Sequence, residues 1–123
     1  MKGIGVDIIE IERIREAAEK YGEDFLNKVF TEKEIKYCRS RKALKYPELA
    51  VRFAAKEAYS KALGTGISGF GRDNDGIGWK DIEILNNHRG KPRIYLKGKL
   101  AKSVQISLSH SRDSAAAFVI LEK

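Results

Sequence analysis

Three side chains in this sequence have the types and the spacing for chemistry on phosphate: Asp7, Glu57 and Lys61. Mg²⁺ is commonly held by one or two carboxylates, with substrate phosphates and water completing its oxygen shell. Lys61 follows Glu57 by one helical turn, so it could reach the phosphate that such an ion would bind. The same spacing also suits an ordinary surface ion pair, worth about 0.3–0.5 kcal/mol. The pattern leaves a metal site and a plain ion pair both open.

Most other catalytic chemistries find little support in the sequence. Zinc needs several Cys or His ligands, and the chain has one Cys and two His. A Ser-His-Asp triad could be assembled on paper around His110, but no nucleophile-elbow sequence accompanies it. Paired carboxylates of the glycosidase type are neither supported nor excluded, because their separation is a structural quantity. A Gly64-x-Gly66-x-x-Gly69 pattern follows a predicted helix instead of the strand that a dinucleotide fingerprint requires.

Asp7 lies in an alternating segment that is typical of a short strand. Ile4, Val6 and Ile8 alternate with Gly3, Gly5 and Asp7 itself, so one strand face carries little besides this carboxylate. Glycines in a strand mark the close approach of another backbone or of a ligand, or simply a tightly packed edge.

Glu57 and Lys61 lie in a long predicted helix. Pro47 suits its first turn, and the pattern runs to about Leu63 and stops at Gly64. Small residues share one arc that favours close packing: Val51, Ala54, Ala55, Ala58 and Ala62. Polar residues fall on the opposite half-turn: Arg52, Lys56, Glu57, Ser60 and Lys61.

Further local signals complete the expected fold. Apolar spacing from Ile11 to Tyr21 predicts a helix with Gly22 as its C-cap, and Thr31-Glu32-Lys33-Glu34 matches a capping box. Alternating segments around 82–84, 94–96, 106–110 and 115–121 predict strands. A helical half followed by strands with short connections predicts an α+β fold with an antiparallel sheet.

Composition limits the class of protein. The chain has 123 residues, with 24 basic and 17 acidic side chains and a net charge of +7. The length fits a single domain, 1–123. We expect no signal peptide and no membrane span, since no apolar run approaches the roughly 18 residues needed. The lone Cys38 excludes an intrachain disulfide and favours a cytoplasmic location. The charge implies an anionic partner: nucleic acid, a phosphorylated small molecule or an acidic protein.

The sequence resembles the phosphopantetheinyl transferase superfamily, in its short bacterial type, over nearly the whole chain. The matching segments are Gly5-Val6-Asp7-Ile8-Ile9-Glu10, the block from Arg52 to Gly66, Gly90-Lys91-Pro92 and Ser107-Leu108-Ser109-His110-Ser111. The resemblance implies transfer of the 4′-phosphopantetheine arm of coenzyme A to a serine of apo-acyl carrier protein, in fatty acid biosynthesis. Adenosine 3′,5′-bisphosphate would be the by-product. It also implies Mg²⁺, with Mn²⁺ as a substitute, and a homotrimer with active sites at subunit interfaces.

Roles for individual residues follow from the resemblance. Asp7 and Glu57 would hold the metal and Lys61 would contact a phosphate oxygen, and these three are the expected catalytic residues. The serine proton would pass to Glu57 or to a metal-bound water, and the sequence does not decide between them. The segment from Ser68 to Gly78 departs from the family as an insertion, which we expect to be a mobile surface loop. The expected coenzyme A site comprises Arg52, Ser60, Lys61, Gly64, Gly90, Lys91, Pro92, Ser109 and His110.

The positive charge also suits the acidic carrier protein that the resemblance implies. The family's docking position corresponds to Arg13, with Arg15 and Lys20 nearby, and we expect the basic run from Lys36 to Lys45 to extend the same surface.

Two other functions remain as alternatives. A small nucleic-acid-binding domain would use the basic run and its interleaved tyrosines, but no RRM, KH or helix-turn-helix signature is present. A metal-dependent nuclease would use Asp7 and Glu57, although Tyr59 stands where such enzymes usually place a lysine. We therefore expect no nucleic-acid partner.

Overall fold

The order of the elements follows the local signals of the sequence, with a few additions. The computed structural model describes residues 2–65, 67–68 and 77–122. Within them, strand β1 (Gly3–Glu10) leads into helices α1 (Ile11–Tyr21), α2 (Glu23–Val29), α3 (Glu32–Cys38) and α4 (Tyr46–Leu63). A 3₁₀ turn (Trp79–Asp81) lies between the third and fourth strands. The later strands are β2 (Ile67–Ser68), β3 (Ile77–Gly78), β4 (Ile82–Asn86), β5 (Pro92–Leu96), β6 (Lys99–Leu100), β7 (Val104–His110) and β8 (Ser114–Leu121).

The strands confirm the α+β prediction but form two antiparallel sheets instead of one. In the first sheet β8 lies between β1 and β7, and Ala117 of β8 pairs with Asp7 on one side and Leu108 on the other. The second sheet has the order β4-β5-β6. The sequence did not indicate the short strand β6 or the parallel pair of β2 and β3, because two-residue strands are too short to show alternation.

Capping signals set the ends of the helices as predicted. Thr31 Oγ1 accepts a hydrogen bond from Glu34 N at 3.3 Å, and Glu34 Oε1 accepts one from Thr31 N at 2.9 Å, which completes the capping box. Pro47 stands in the first turn of α4. Gly64 ends that helix in the left-handed region, with φ 83°, and donates its N–H to Ser60 O.

Two glycines allow β1 to lie directly against α4. A Cβ added to Gly5 would stand 2.0 Å from Ala58 O, and one added to Gly3 would stand 2.3 Å from Ala62 O. The glycines therefore make room for the backbone of a helix and not for a ligand, which decides among the readings that the sequence left open. Asp7 is the next residue on the same face of the strand.

Helix α4 is buried on both sides. The predicted small-residue arc is in the core, with Ala54, Ala55 and Ala58 fully buried. The opposite half-turn carries polar residues, as predicted, yet most of it is buried as well, because the sheet of β4 and β5 and the helices α2 and α3 cover that side. The buried polar members are Arg52, Lys56 and Ser60.

The segment predicted to be a mobile loop is described only at its ends. Ile67–Ser68 and Ile77–Gly78 pair in parallel, and positions 69–76 lie outside the described residues. In the part of the chain that is described, no helix is long and apolar enough to cross a membrane.

Candidate active site

Asp7 and Lys61, which are 54 positions apart in the sequence, meet between β1 and α4. Lys61 Nζ lies 2.8 Å from Asp7 Oδ1 and 3.3 Å from the backbone oxygen of Val6. The Asp7 side chain is 14% exposed, whereas that of Lys61 is 54% exposed. The ammonium group of Lys61 therefore stands at the surface over a largely buried carboxylate, where an anionic ligand could reach it.

Glu57 lies on α4 one turn before Lys61 and is half-buried. Its backbone oxygen accepts a hydrogen bond from Ser60 Oγ at 2.8 Å. The helix thus carries Glu57 and Lys61 on neighbouring turns, beside the strand that carries Asp7. The predicted sharing of one metal ion by Asp7 and Glu57 stays a prediction.

A second group of predicted residues lines a cleft of about 180 Å³ on the other part of α4. The residues come from the first half of α4, from the β4–β5 turn and from the end of β7. Five residues of the expected coenzyme A site are among them: Arg52, Gly90, Pro92, Ser109 and His110. The cleft is completed by Glu48, Val51, Asn86 and Leu108.

Arg52 lies on the polar half-turn of α4 but is buried. Its side chain is 1% exposed, and its guanidinium donates to Ile84 O, to the backbone and side chain of Glu48, and to Asn86 Oδ1. The ring of Tyr37 lies 4.5 Å from the guanidinium carbon. Arg52 is therefore part of the wall of the cleft, held by neighbours in β4, α3 and its own helix.

The remaining expected coenzyme A residues lie in different surroundings. His110 is exposed, and Lys91 is exposed between Gly90 and Pro92. Ser60 is buried, and its hydroxyl is used within α4. Gly64 is exposed at the end of that helix. Ser60, Lys61 and Gly64 do not line the cleft, and their contact with coenzyme A stays a prediction.

A buried ion pair between Lys56 and Glu34 was not predicted from the sequence. Lys56 Nζ donates to Glu34 Oε1 at 2.7 Å, to Val29 O at 2.7 Å and to Trp79 O at 3.1 Å. Glu34 Oε2 accepts from Ile84 N at 2.8 Å, and both side chains have no exposed surface. Burial lowers the pKa of Lys56, although the Glu34 carboxylate opposes this shift. The capping box pointed to Glu34, but no local signal pairs it with a lysine 22 positions away.

The three cations expected to dock a carrier protein are not equivalent. Arg13 is exposed and makes no hydrogen bond or ion pair with any residue that the structure describes. Arg15 forms a bidentate ion pair with Glu12, and its Nη1 lies 3.9 Å from Glu19 Oε2. Lys20 stands over the ring of Tyr21, 5.3 Å from its centre. Arg13 is therefore the cation of this group whose charge is most available to a partner.

The outer face of the first sheet is apolar and exposed. Ile4, Val6 and Ile8 of β1 are 50%, 59% and 70% exposed. The register places Phe118 beside Val6, and Ile120 beside Ile4, so the apolar rows continue onto β8. This apolar face, made by Ile4, Val6, Ile8 and Phe118, lies on the side of β1 opposite Asp7. Contiguous exposed apolar surface of this kind marks an interaction site.

Comparison with known proteins identifies the family of this chain. The sequence model of the 4′-phosphopantetheinyl transferase superfamily matches residues 3–119. A holo-[acyl-carrier-protein] synthase from Chloroherpeton thalassium is 46% identical over 97% of this chain and 96% of its own. A synthase from Bacillus anthracis, solved in complex with CoA (3′,5′-ADP), is 40% identical with a TM-score of 0.74, covering 98% of this chain and 96% of its own. One from Neisseria meningitidis is 32% identical with a TM-score of 0.82, covering 100% and 99%.

The family model that matches residues 3–119 and the fold shared with the solved relatives define the class: this chain belongs to the 4′-phosphopantetheinyl transferase superfamily. Within that superfamily it is an enzyme of the holo-[acyl-carrier-protein] synthase group. Its curated relatives carry that name and match nearly the whole of this chain. The assignment favours the transferase over the nuclease and the nucleic-acid-binding domain.

Proposed function

We propose that this protein transfers the 4′-phosphopantetheine group from coenzyme A to a serine hydroxyl of an apo-acyl carrier protein, in fatty acid biosynthesis. The contact of Asp7 with Lys61 carries the proposal, because it sets a carboxylate and an exposed ammonium at one place beside Glu57. The relatives named above support the donor and the acceptor. The free, buried Cys38 suits a cytoplasmic enzyme.

The reaction breaks one phosphoanhydride bond and forms one phosphoester bond. The serine oxygen attacks the phosphorus that bears the pantetheine arm, and the bond to the bridging oxygen breaks. The bridging oxygen leaves with adenosine 3′,5′-bisphosphate. The serine proton goes to the Glu57 carboxylate or to a water molecule. Such a transfer depends on positioning and charge stabilisation more than on covalent help from the protein.

Asp7 and Glu57 fit the requirements of Mg²⁺, with Mn²⁺ as a substitute. Both offer hard carboxylate oxygens, and substrate phosphate oxygens with water would complete the coordination. Among the described residues there is no group of three or more His, Cys, Asp or Glu that could hold a metal ion, so an ion held by Asp7 and Glu57 would take its other ligands from substrate phosphate and water. When bound, the ion neutralises negative charge on the leaving group. Lys61 keeps Asp7 oriented and offers its exposed ammonium to a phosphate oxygen.

The adenosine end of coenzyme A would occupy the cleft beside Arg52. Its walls combine the guanidinium of Arg52 with Ser109, His110 and the turn at Gly90. Lys91, which is exposed in the same turn, adds a positive charge to it. These groups suit a phosphorylated nucleoside better than an apolar ligand.

The carrier protein would dock on α1 through Arg13. This guanidinium is exposed, whereas the neighbouring Arg15 is neutralised by Glu12. An acidic partner would gain most in its association rate from this charge, and salt would weaken the effect.

A homotrimer would cover the apolar face of β1 and β8. Val6 and Phe118 are paired neighbours in the middle of that face and are large, apolar and exposed. A second copy of the chain is the occupant that the trimeric resemblance implies, and burial of this surface would stabilise the assembly. Active sites would then lie at subunit interfaces.

Mass spectrometry of an apo-carrier protein incubated with coenzyme A, Mg²⁺ and this protein tests the proposal. We expect the carrier protein to gain the mass of one phosphopantetheine group, and excess EDTA to prevent the gain. Asp7→Asn and Glu57→Gln should nearly abolish turnover while the melting temperature stays close to that of the wild type. Asp24→Asn, an exposed acid on α2, is the matched control and should keep full activity. Full activity of either site variant would contradict the metal site, and an unmodified carrier protein would contradict the function.

A further inference from the structure

Asn86, at the end of β4, joins the two walls of the cleft. Its Oδ1 accepts a hydrogen bond from Arg52 Nη2 at 2.8 Å, and its Nδ2 donates to Gly90 O at 3.0 Å. A guanidinium only donates and a carbonyl only accepts, so these two partners determine which end of the amide faces which. Asn86 therefore links helix α4 to the turn that carries Gly90.

Most N–H donors of the Arg52 guanidinium are bonded to neighbouring protein groups, so few are left for a ligand. A guanidinium has five N–H groups. Within the described residues Nε donates to Ile84 O, Nη1 donates to Glu48 O and Oε1, and Nη2 donates to Asn86. One N–H of Nη2 is left for a ligand, and it is on the nitrogen that Asn86 holds.

The turn after β4 is internally fixed. Asn87 N donates to Lys91 O at 2.8 Å, and Asn87 Oδ1 accepts from the backbone N–H groups of Arg89 and Lys91. Gly90 adopts a positive φ of 83° within it. These hydrogen bonds define the shape of the turn, so its contact with Asn86 sets how far it stands from Arg52.

We propose that Asn86 is a positioning residue for the donor substrate, which sets the separation between Arg52 and the turn at Gly90 before an adenosine phosphate binds. The proposal rests on the proposed function, since it assigns the cleft to coenzyme A. Without Asn86, Arg52 and the turn are no longer held in place before the ligand binds. The free-energy cost of ordering them then weakens ligand binding. The affinity for the donor falls, whereas the chemical step and the docking of the carrier protein, which use other residues, stay as they are.

The test compares Asn86→Ala and Asn86→Leu with the wild-type protein. Asn27→Ala is the matched control, because Asn27 is exposed on α2. Calorimetry measures the Kd of adenosine 3′,5′-bisphosphate, and steady-state kinetics measure kcat and the KM of each substrate. In both Asn86 variants we expect the Kd and the coenzyme A KM to rise roughly tenfold, which corresponds to about 1.4 kcal/mol. The kcat and the carrier-protein KM should stay within about twofold, as should every value for the control.

A purely structural role gives a different result. It lowers the melting temperature and the folded fraction, and hence the apparent kcat, but leaves the KM and Kd of the folded molecules unchanged. That outcome, or an equal rise in the KM of both substrates, would overturn the role of Asn86. The leucine variant keeps most of the side-chain volume, so it still tests the role of Asn86 if the alanine variant does not fold. A wild-type protein that neither binds the bisphosphate nor modifies the carrier protein would contradict the proposed function instead.

Discussion

The buried pair of Lys56 and Glu34 allows a quantitative test of what holds α4 in place. Lys56→Met removes the ammonium and leaves an unbranched side chain of similar length, so little cavity forms. The Glu34 carboxylate would remain buried without its cation, and Val29 O and Trp79 O would lose the ammonium as a donor. The variant therefore isolates the electrostatic contribution of Lys56 from its packing.

The expected magnitude follows from the environment of the pair. Removing one partner of a buried ion pair costs about 3–5 kcal/mol, because the other charge is left uncompensated. Glu34 keeps two backbone donors, Thr31 N at 2.9 Å and Ile84 N at 2.8 Å, which places the expected loss near the lower end, at about 3 kcal/mol. Domains have total stabilities of about 5–15 kcal/mol, so this loss is a large fraction of the whole.

Urea unfolding followed by circular dichroism measures the effect. Lys56→Met should lower the free energy of unfolding by about 3 kcal/mol, and Lys33→Met, an exposed lysine on α3, should change it by less than about 0.5 kcal/mol. The double variant Lys56→Met/Glu34→Leu should lose less free energy of unfolding than the sum of the two single losses. Each single change leaves the other charge or its hydrogen-bond partners unpaired in the core, and the double change removes both charges. A loss below about 1 kcal/mol for Lys56→Met, or strict additivity, would refute the reasoning.

Three further predictions concern other parts of the molecule. Burial raises the pKa of the Cys38 thiol from 9.0 to about 11. Because the unfolded chain loses this proton at a lower pH than the folded chain, the stabilisation present below pH 9 falls by about 2–3 kcal/mol as the pH rises through 11. In urea unfolding, Cys38→Ala should lack that part of the decline. Arg13→Glu should raise the carrier-protein KM at least roughly tenfold more than the coenzyme A KM, whereas Arg15→Gln changes neither by much; equal effects on both KM values would remove the docking role. Val6→Lys should yield monomers in sedimentation velocity with little activity, and the equally exposed Tyr21→Lys should leave the assembly mass unchanged; a Val6→Lys trimer would exclude the apolar face as the interface.

Local signals in the sequence predicted the elements that local chemistry determines. The capping box at Thr31, the stop at Gly64 and the alternation around Asp7 each depend on residues within one or two turns of each other, so they can be found without the fold. The alanine arc of α4 was also predicted, since helical periodicity reports which side packs closely. The candidate catalytic residues came from residue type and from the resemblance; the structure brings two of them, Asp7 and Lys61, into contact, and their roles stay a prediction.

Periodicity failed for Arg52 and Lys56 because it reports polarity and not the partners that a fold supplies. Each of these cations lies on the polar half of α4, where a solvated surface is the usual outcome. In the fold, β4 offers Ile84 O to Arg52, and α3 offers the Glu34 carboxylate to Lys56, so both charges can be buried with their hydrogen bonds satisfied. Such partners come from sequence separations of 32 and 22, which no local pattern contains.

Two independent constraints place α4 where its functional groups are needed. The backbone contact of Gly3 and Gly5 with Ala62 and Ala58 fixes the distance of the helix from β1. The bonds of Lys56 on the opposite side fix its rotation, because an ammonium held by three oxygens cannot follow a turn of the helix without losing them. With distance and rotation both set, Arg52 faces the cleft and Lys61 reaches Asp7 along the same helix. A buried charge in this family member is therefore best understood as fixing geometry, since an apolar residue at position 56 could fill the core without fixing that rotation.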